Sequence, residues 1–244
     1  YISTVADGAG SVQFSRKGAQ LACEESLEAC KIALKTETKN LEELASDFVQ
    51  EGSLENKKKV IDLIYPILGG AVLAAYKRIK EMAENTAGST QRDFSTTLLL
   101  TISKKYSFGW FVASFWIGDG CIGIYDKEKQ FLKIMGEPDG GEFAGQTRFL
   151  TMSEIMQSDE IYRRIRFEIV DDFTALVLMT DGVTDPKFET EANLMKIEKW
   201  NAFWGDLTNE VDLRRDFDSS EQLLKWLDFW MPGNHDYRTI SILY

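Results

Sequence analysis

The chain has 244 residues, of which 44% are hydrophobic, enough for one large core or two small ones. Its 39 acids against 28 bases leave a formal charge of −11. That charge argues against nucleic acid or anionic lipid as a partner, because both select a cationic footprint.

In chain order, residues 1–6 (YISTVA) form a short strand, and the acid and glycines of DGAGS follow at once. The strand-like opening without an initiating methionine implies a start inside a longer protein. Ser15 is positioned to cap a helix in which Ala19, Cys23, Leu27, Cys30 and Leu34 share one face. A polar interval at 36–40 and a short helix near 41–50 lead into a second long helix, about 54–84. Val60, Ile64, Ile67, Ala71 and Ala75 mark its buried side, and Pro66 with Gly69 and Gly70 bends it or marks its true beginning. The run LIYPILGGAVLAAY, residues 63–76, is shorter than the roughly 18–20 residues a bilayer span needs, so it is expected to be a core helix.

From residue 94 the character changes to β-branched and aromatic runs between short turns: TTLLLTI, FGWFVASFWI, CIGIY, QFLKIM, RIRFEIV, TALVLM and the closing TISILY. Several are apolar on both faces, as in a sheet covered on each side. The order predicts α+β, with mainly antiparallel sheets packed together in an α-β-β-α sandwich. Residues 187–231 form a helical, aromatic insertion whose tryptophans and phenylalanines are expected in core. Its SSEQLLKWLDFW stretch is an amphipathic helix capped by Ser219. Without a linker or repeat, one domain spanning 1–244 is the economical organisation.

Three cysteines, Cys23, Cys30 and Cys121, and a lone His235 give no zinc-ligand spacing and no Ser/His/Asp or Cys/His set. The cysteine usage fits a reducing compartment, and a cytoplasmic location is expected. What does recur is an acid beside glycine at the end of an apolar strand. Asp7 and Gly8 do so in VADGAG, Asp119 in FWIGDG, and Asp181, Gly182 and Asp185 in LMTDGVTD, while Asp236 precedes the last strand in GNHDYRTISILY. One such acid is ordinary turn chemistry. If four such ends converge, their carboxylates repel unless cations compensate them, and oxygen-only ligands suit magnesium or manganese. Two such ions sharing a water form a hydrolase centre that needs no side-chain nucleophile.

The ordered series VADGAG, STTLLL, FWIGDG, LMTDGVTD and NHDYRTISIL resembles the metal-dependent protein phosphatases of the PP2C family, especially its divergent bacterial branch. The resemblance implies a two-sheet sandwich flanked by helices and hydrolysis of phosphoserine and phosphothreonine on proteins phosphorylated by a Ser/Thr kinase. It implies two or three Mg2+ or Mn2+ ions: Asp7 bridges two, Gly8 binds through its carbonyl, Asp181 and Asp236 are further ligands, and Asp119 and Asp185 serve a weaker additional site. It gives Thr96 and Thr97 a packing and hydrogen-bonding role. The sequence departs from the family at Ala9, where many relatives have a general-acid histidine, and at Tyr237, where an asparagine is usual. His235 stands beside Asp236, and Arg16, Arg92 and Arg238 are available to phosphate. The family's phosphate-gripping arginine and further acids belong to a strand before the DG pair. A phosphoprotein-binding scaffold with a depleted metal set, and a hydrolase of small phosphate esters, are the alternative functions. Oligomeric state is left open.

Overall fold

A computed structural model gives the fold. It describes residues 1–139, 147–214, 216–229 and 237–244, with Asp216 and Phe217 described by their backbone alone. Two four-stranded antiparallel sheets stack face to face. The first has the order β1 (Ile2–Val5), β2 (Leu98–Tyr106), β3 (Gly109–Ile117), β6 (Ile165–Val170). The second has β5 (Phe131–Gly136), β4 (Cys121–Asp126), β7 (Ala175–Met179), β8 (Ile240–Leu243). Helices α1 (Ser15–Glu51) and α2 (Leu54–Glu84) cover the first sheet, and α3 (Ser158–Tyr162) packs beside α2. The second sheet is covered by α4 (Asp181–Phe188), α5 (Glu191–Leu194), α6 (Ile197–Glu210) and α7 (Asp216–Trp226).

Side-chain alternation along the strands builds three apolar layers. On β2, Leu98, Leu100 and Ile102 point to the helices while Leu99 points to the other sheet. On β7, Ala175, Val177 and Met179 face α4–α7, and Leu176 and Leu178 fill the space between the sheets. Successive side chains on a strand take opposite faces, so burial on both sides demands the continuous apolar runs seen in the sequence. The fold class and all eight strands are as expected.

The helices differ from expectation in their limits. Helix α1 is continuous through 36–40, where a break was expected. The Thr36 and Thr38 hydroxyls donate to the carbonyls of Ala33 and Leu34 inside the helix, so the polar interval changes the exposed face without ending it. Phe14, not Ser15, is the N-cap, and no side chain caps that end. The helix ends at Gly52, whose left-handed φ of 61° suits glycine and whose N–H reaches the Phe48 carbonyl at 2.8 Å. Ser53 then caps α2 by accepting the Asn56 N–H at 3.1 Å.

Helix α2 begins at Leu54 and runs through Pro66, Gly69 and Gly70, so these do not mark its start. By length and composition alone it could cross a membrane, because the helix extends the 63–76 run with few charges. Its Val60, Ile64, Leu68, Val72 and Ala75 are buried against α1 and the first sheet, as expected of a core helix. Helix α7 starts at Asp216, which leaves Ser219 inside it and not at its cap.

The aromatic segment is core. Trp200 is fully buried, donates from Nε1 to the Leu194 carbonyl at 2.8 Å, and lies so close to β4 that a Cβ on Gly123 would come within 2.3 Å of its ring. Phe188 and Phe203 pack on its ring, and Trp226 packs in turn on Phe203. Trp200→Ala is expected to destabilise the protein by about 3–5 kcal/mol, read as a lower urea midpoint, because the cavity left beside Gly123 cannot close.

Candidate active site

Antiparallel pairing places the C-terminal ends of β1, β3 and β7 at the same end of the sandwich as the N-terminal ends of β2, β4 and β8. Asp7, Asp119 and Asp181 follow the first three of these ends, so topology alone delivers them to one rim.

Local contacts fix the rim. The Asp7 N–H donates to the Thr97 hydroxyl at 2.8 Å, and the Asp7 carbonyl accepts both the Thr97 N–H and the Thr96 hydroxyl at 2.8 Å. Gly8 is buried and bridges to Thr96; a Cβ there would stand 2.5 Å from the Ser15 backbone, so only glycine admits the start of α1. Gly118, with φ of 112°, turns against the Thr97 side chain. Gly120 presses on the Met179 carbonyl, where a Cβ would sit 2.4 Å away, and so joins β3 of one sheet to β7 of the other.

Asp181 opens α4, and its Oδ1 accepts the Gly182 N–H at 2.8 Å. A Cβ on Gly182 would lie 2.5 Å from the Tyr237 carbonyl, and the Arg16 guanidinium stacks 4.5 Å from the centre of the Tyr237 ring. Arg16 adjoins Ser15, which packs on Gly8. Contacts and chain neighbours together close a ring: Asp7, Thr97, Gly118, Asp119, Gly120, Met179, Thr180, Asp181, Gly182, Tyr237, Arg16, Ser15, Gly8.

Asp7, Asp119 and Asp181 are half-buried on this ring, and Asp185 is exposed one helical turn beyond Asp181. The Asp119 Oδ2 accepts the Thr147 hydroxyl at 2.5 Å. Asp236 and His235 lie outside the described residues. Among the described residues, no three His, Cys, Asp or Glu side chains are grouped closely enough to hold one metal ion. The arginines separate by role: Arg16 stacks on Tyr237, Arg238 lies 5.4 Å from the centre of the Phe229 ring, and exposed Arg92 lines a cleft of about 630 Å3 beside Ala9. Hydroxyls of Ser11, Ser95 and Thr151 share that cleft with Glu154.

Two parts of the rim went unread in the sequence. Thr180 accepts the Thr239 N–H at 3.0 Å through its hydroxyl, which itself reaches the Tyr237 carbonyl at 3.2 Å, and so ties β7 to the approach to β8. Thr180 stands inside LMTDGVTD, but nothing local names its partner. The second is an ion-pair cluster around Arg164, which is 2% exposed. Its guanidinium meets Asp139 at 2.6 Å and Glu160 at 2.7 Å, while the Asp139 N–H donates to the Gly118 carbonyl at 2.8 Å.

A family model described as Protein phosphatase 2C matches residues 1–228. The chain belongs to that family. Among solved structures, this PP2C chain is similar to a bacterial serine phosphatase, with a TM-score of 0.55, 14% identity, and 99% of this chain and 84% of that one covered. It is also similar to the serine/threonine phosphatase Stp1 of Staphylococcus aureus, at TM-score 0.54 and 13% identity over 99% of this chain and 82% of that one. A third likeness is to the catalytic domain of the phosphatase PstP in complex with two manganese ions, at TM-score 0.53 and 15% identity over 99% and 85%. At such identities the likeness establishes the fold. No curated protein matches by sequence.

Two outcomes follow for the PP2C rim. Thr97→Val keeps the side-chain shape but deprives the Asp7 N–H of its acceptor, and an unfolding titration should show a loss of about 1–3 kcal/mol. At the Arg164 cluster, burial alone would raise the Glu160 carboxyl, but the hydrogen bond and charge of Arg164, then the charges of Arg163 and Arg148, hold it below its ordinary 4.5. A depressed carboxyl stabilises the fold above its unfolded value and loses that contribution as pH falls through the folded one. The stabilities of wild type and Glu160→Gln should therefore differ at neutral pH and converge as the urea midpoint is followed below pH 4.5.

Proposed function

We propose that this chain is a magnesium- or manganese-dependent phosphatase acting on phosphoserine and phosphothreonine in proteins. The observation that carries the reading is the closed ring of contacts holding Asp7, Gly8 and Asp181 at one end of both sheets in a chain of the PP2C family. The donors are oxygen only, two carboxylates and the Gly8 carbonyl, with Asp236 as the further ligand the family resemblance implies. This set fits Mg2+, which keeps several waters and binds through one or two carboxylates where Ca2+ takes six to eight oxygens. Asp119 and Asp185 are assigned to a weaker third position. When bound, such ions activate water toward phosphorus and neutralise charge on the phosphoryl oxygens.

The chain's own residues set the geometry around that chemistry. Thr96 and Thr97 hold the Asp7 peptide, and Thr180 holds the segment entering Asp181. Ala9 carries no titratable group, so the side chain at this position does not protonate the leaving alkoxide, and that proton falls to water or to His235 beside Asp236. The cleft beside Ala9 offers Arg92 and several hydroxyls to the peptide flanking the phosphoresidue. The substrate is then the product of a protein Ser/Thr kinase, and the free thiols of Cys23, Cys30 and Cys121 fit a cytoplasmic site of action. The lack of any three-acid group among the described residues favours a second reading, a phosphoprotein-binding scaffold of the same fold.

Manganese-dependent phosphate release from a phosphothreonine peptide separates the two. Asp181→Asn should lower kcat/KM by about 100-fold or more, since even outer partners of metal ligands are worth 10–100-fold. Its metal-free stability should stay level or rise, because one of the repelling acids is gone. Calorimetry showing no manganese binding at millimolar concentration, together with activity indifferent to Asp181→Asn, would replace the enzyme with the scaffold.

A further inference from the structure

Beside the start of β1, where Tyr1 and Ile2 join the lining, α1 and the first sheet leave a cavity of about 310 Å3 between them. On the helix side, Lys31, Leu34 and Lys35 lie at three- and four-residue spacing and so share one face. On the sheet side, Ile102, Lys104 and Tyr106 alternate along β2 and therefore point the same way, toward α1. Leu34 and Ile102 supply an apolar body. The volume falls at the small end of the roughly 300–1,000 Å3 typical of ligand pockets.

The charge of this lining is opposite to that of the protein. A chain carrying −11 contributes three lysines and no acid to the cavity. Lys31 pairs with Glu28 at the exposed surface, 3.2 Å away. Lys35 and Lys104 have no carboxylate partner among the described ion pairs, and the Lys104 ammonium lies 4.9 Å from the centre of the Tyr106 ring. Tyr106 is only 8% exposed, and its hydroxyl is buried without a hydrogen-bond partner. An unsatisfied buried hydroxyl is a cost to the fold that a bound acceptor recovers.

We infer that this cavity binds an amphipathic anion of the fatty-acid class, with its hydrocarbon chain over Leu34 and Ile102 and its carboxylate toward Lys35, Lys104 and the Tyr106 hydroxyl. A neutral apolar ligand would leave the lysines unused, and a small inorganic anion would leave the apolar body unfilled. The inference is independent of the phosphatase reading, since neither Asp7 nor Asp181 takes part.

Decanoate and decanol, titrated into the full chain by calorimetry, test it. Decanoate should bind saturably at one site and more tightly than decanol. The double variant Lys35→Glu with Lys104→Glu changes only exposed side chains, and it should weaken decanoate by about fivefold or more while leaving decanol unchanged. Leu34→Trp, which fills the cavity, should abolish binding of both, with circular dichroism confirming that the variant is folded. The inference fails if decanoate shows no saturable binding below about 1 mM, the edge of weak specific affinity. It also fails if binding is indifferent to the lysine reversals, or if the face instead mediates a concentration-dependent dimer that Leu34→Trp disrupts.

Discussion

One peptide unit organises this end of the molecule. The Asp7 backbone is gripped on both sides by Thr96 and Thr97, just where β1 stops pairing with β2. Each hydrogen bond contributes only about 1 kcal/mol net, but together they decide where the chain goes next. Gly8 must pass within contact of Ser15, and Gly18 within contact of the Phe94 carbonyl, so the path and depth of α1 follow from the same turn. A single anchor thus sets the acid at the strand end, the first long helix and the edge of the first sheet.

The rim is joined mainly by uncharged contacts, closed at one point by the Arg16 guanidinium on the Tyr237 ring. Threonine hydroxyls, glycines without side chains and backbone carbonyls carry the ring from Asp7 to Tyr237, while the acids themselves hang from it half-buried or exposed. That separation has an energetic logic. Carboxylates gathered at one place repel, so they are poor material for cohesion. Here the contacts that join the strand ends run through threonine hydroxyls, glycines and the backbone. The Arg164 cluster works differently: it uses opposite charges to fasten Asp139, and with it the Gly118 turn, to α3.

How much was legible in the sequence depended on whether the physical cause was local. The strands could be read because burial on both faces leaves a continuous apolar run, as in LLLTI and ALVLM. The aromatic segment could be read because tryptophan at helical spacing is core more often than surface, and Trp200 filling the space over Gly123 is such a case. The break expected at 36–40 is absent because polarity alone does not stop a helix: α1 turns a hydrophilic face outward until a left-handed glycine ends it. The acids beside glycine could be listed, and antiparallel pairing brings Asp7, Asp119 and Asp181 to one rim. Asp236 belongs to the same series by sequence but lies outside the described residues. The pairing of Arg164 with Asp139, 25 residues away, had no local signal at all.

The two faces of the sandwich divide the work unequally. The second sheet spends its outer face on a dense aromatic layer in which Phe188 and Phe203 pack on Trp200, and Trp200 leaves no room even for a methyl group on Gly123. The first sheet is covered by two helices of 37 and 31 residues, which are long enough to overrun it. A straight helix crossing a twisted sheet cannot follow it along its whole length, because neighbouring strands rotate by about 20–25°. Helix α1 touches the Phe94 backbone at Gly18 and packs Phe48 on Phe167 of β6 near its far end, and the cavity beside Leu34 lies between those two contacts. The same helix that packs on the acidic rim at its start borders the lysine-lined space at its middle.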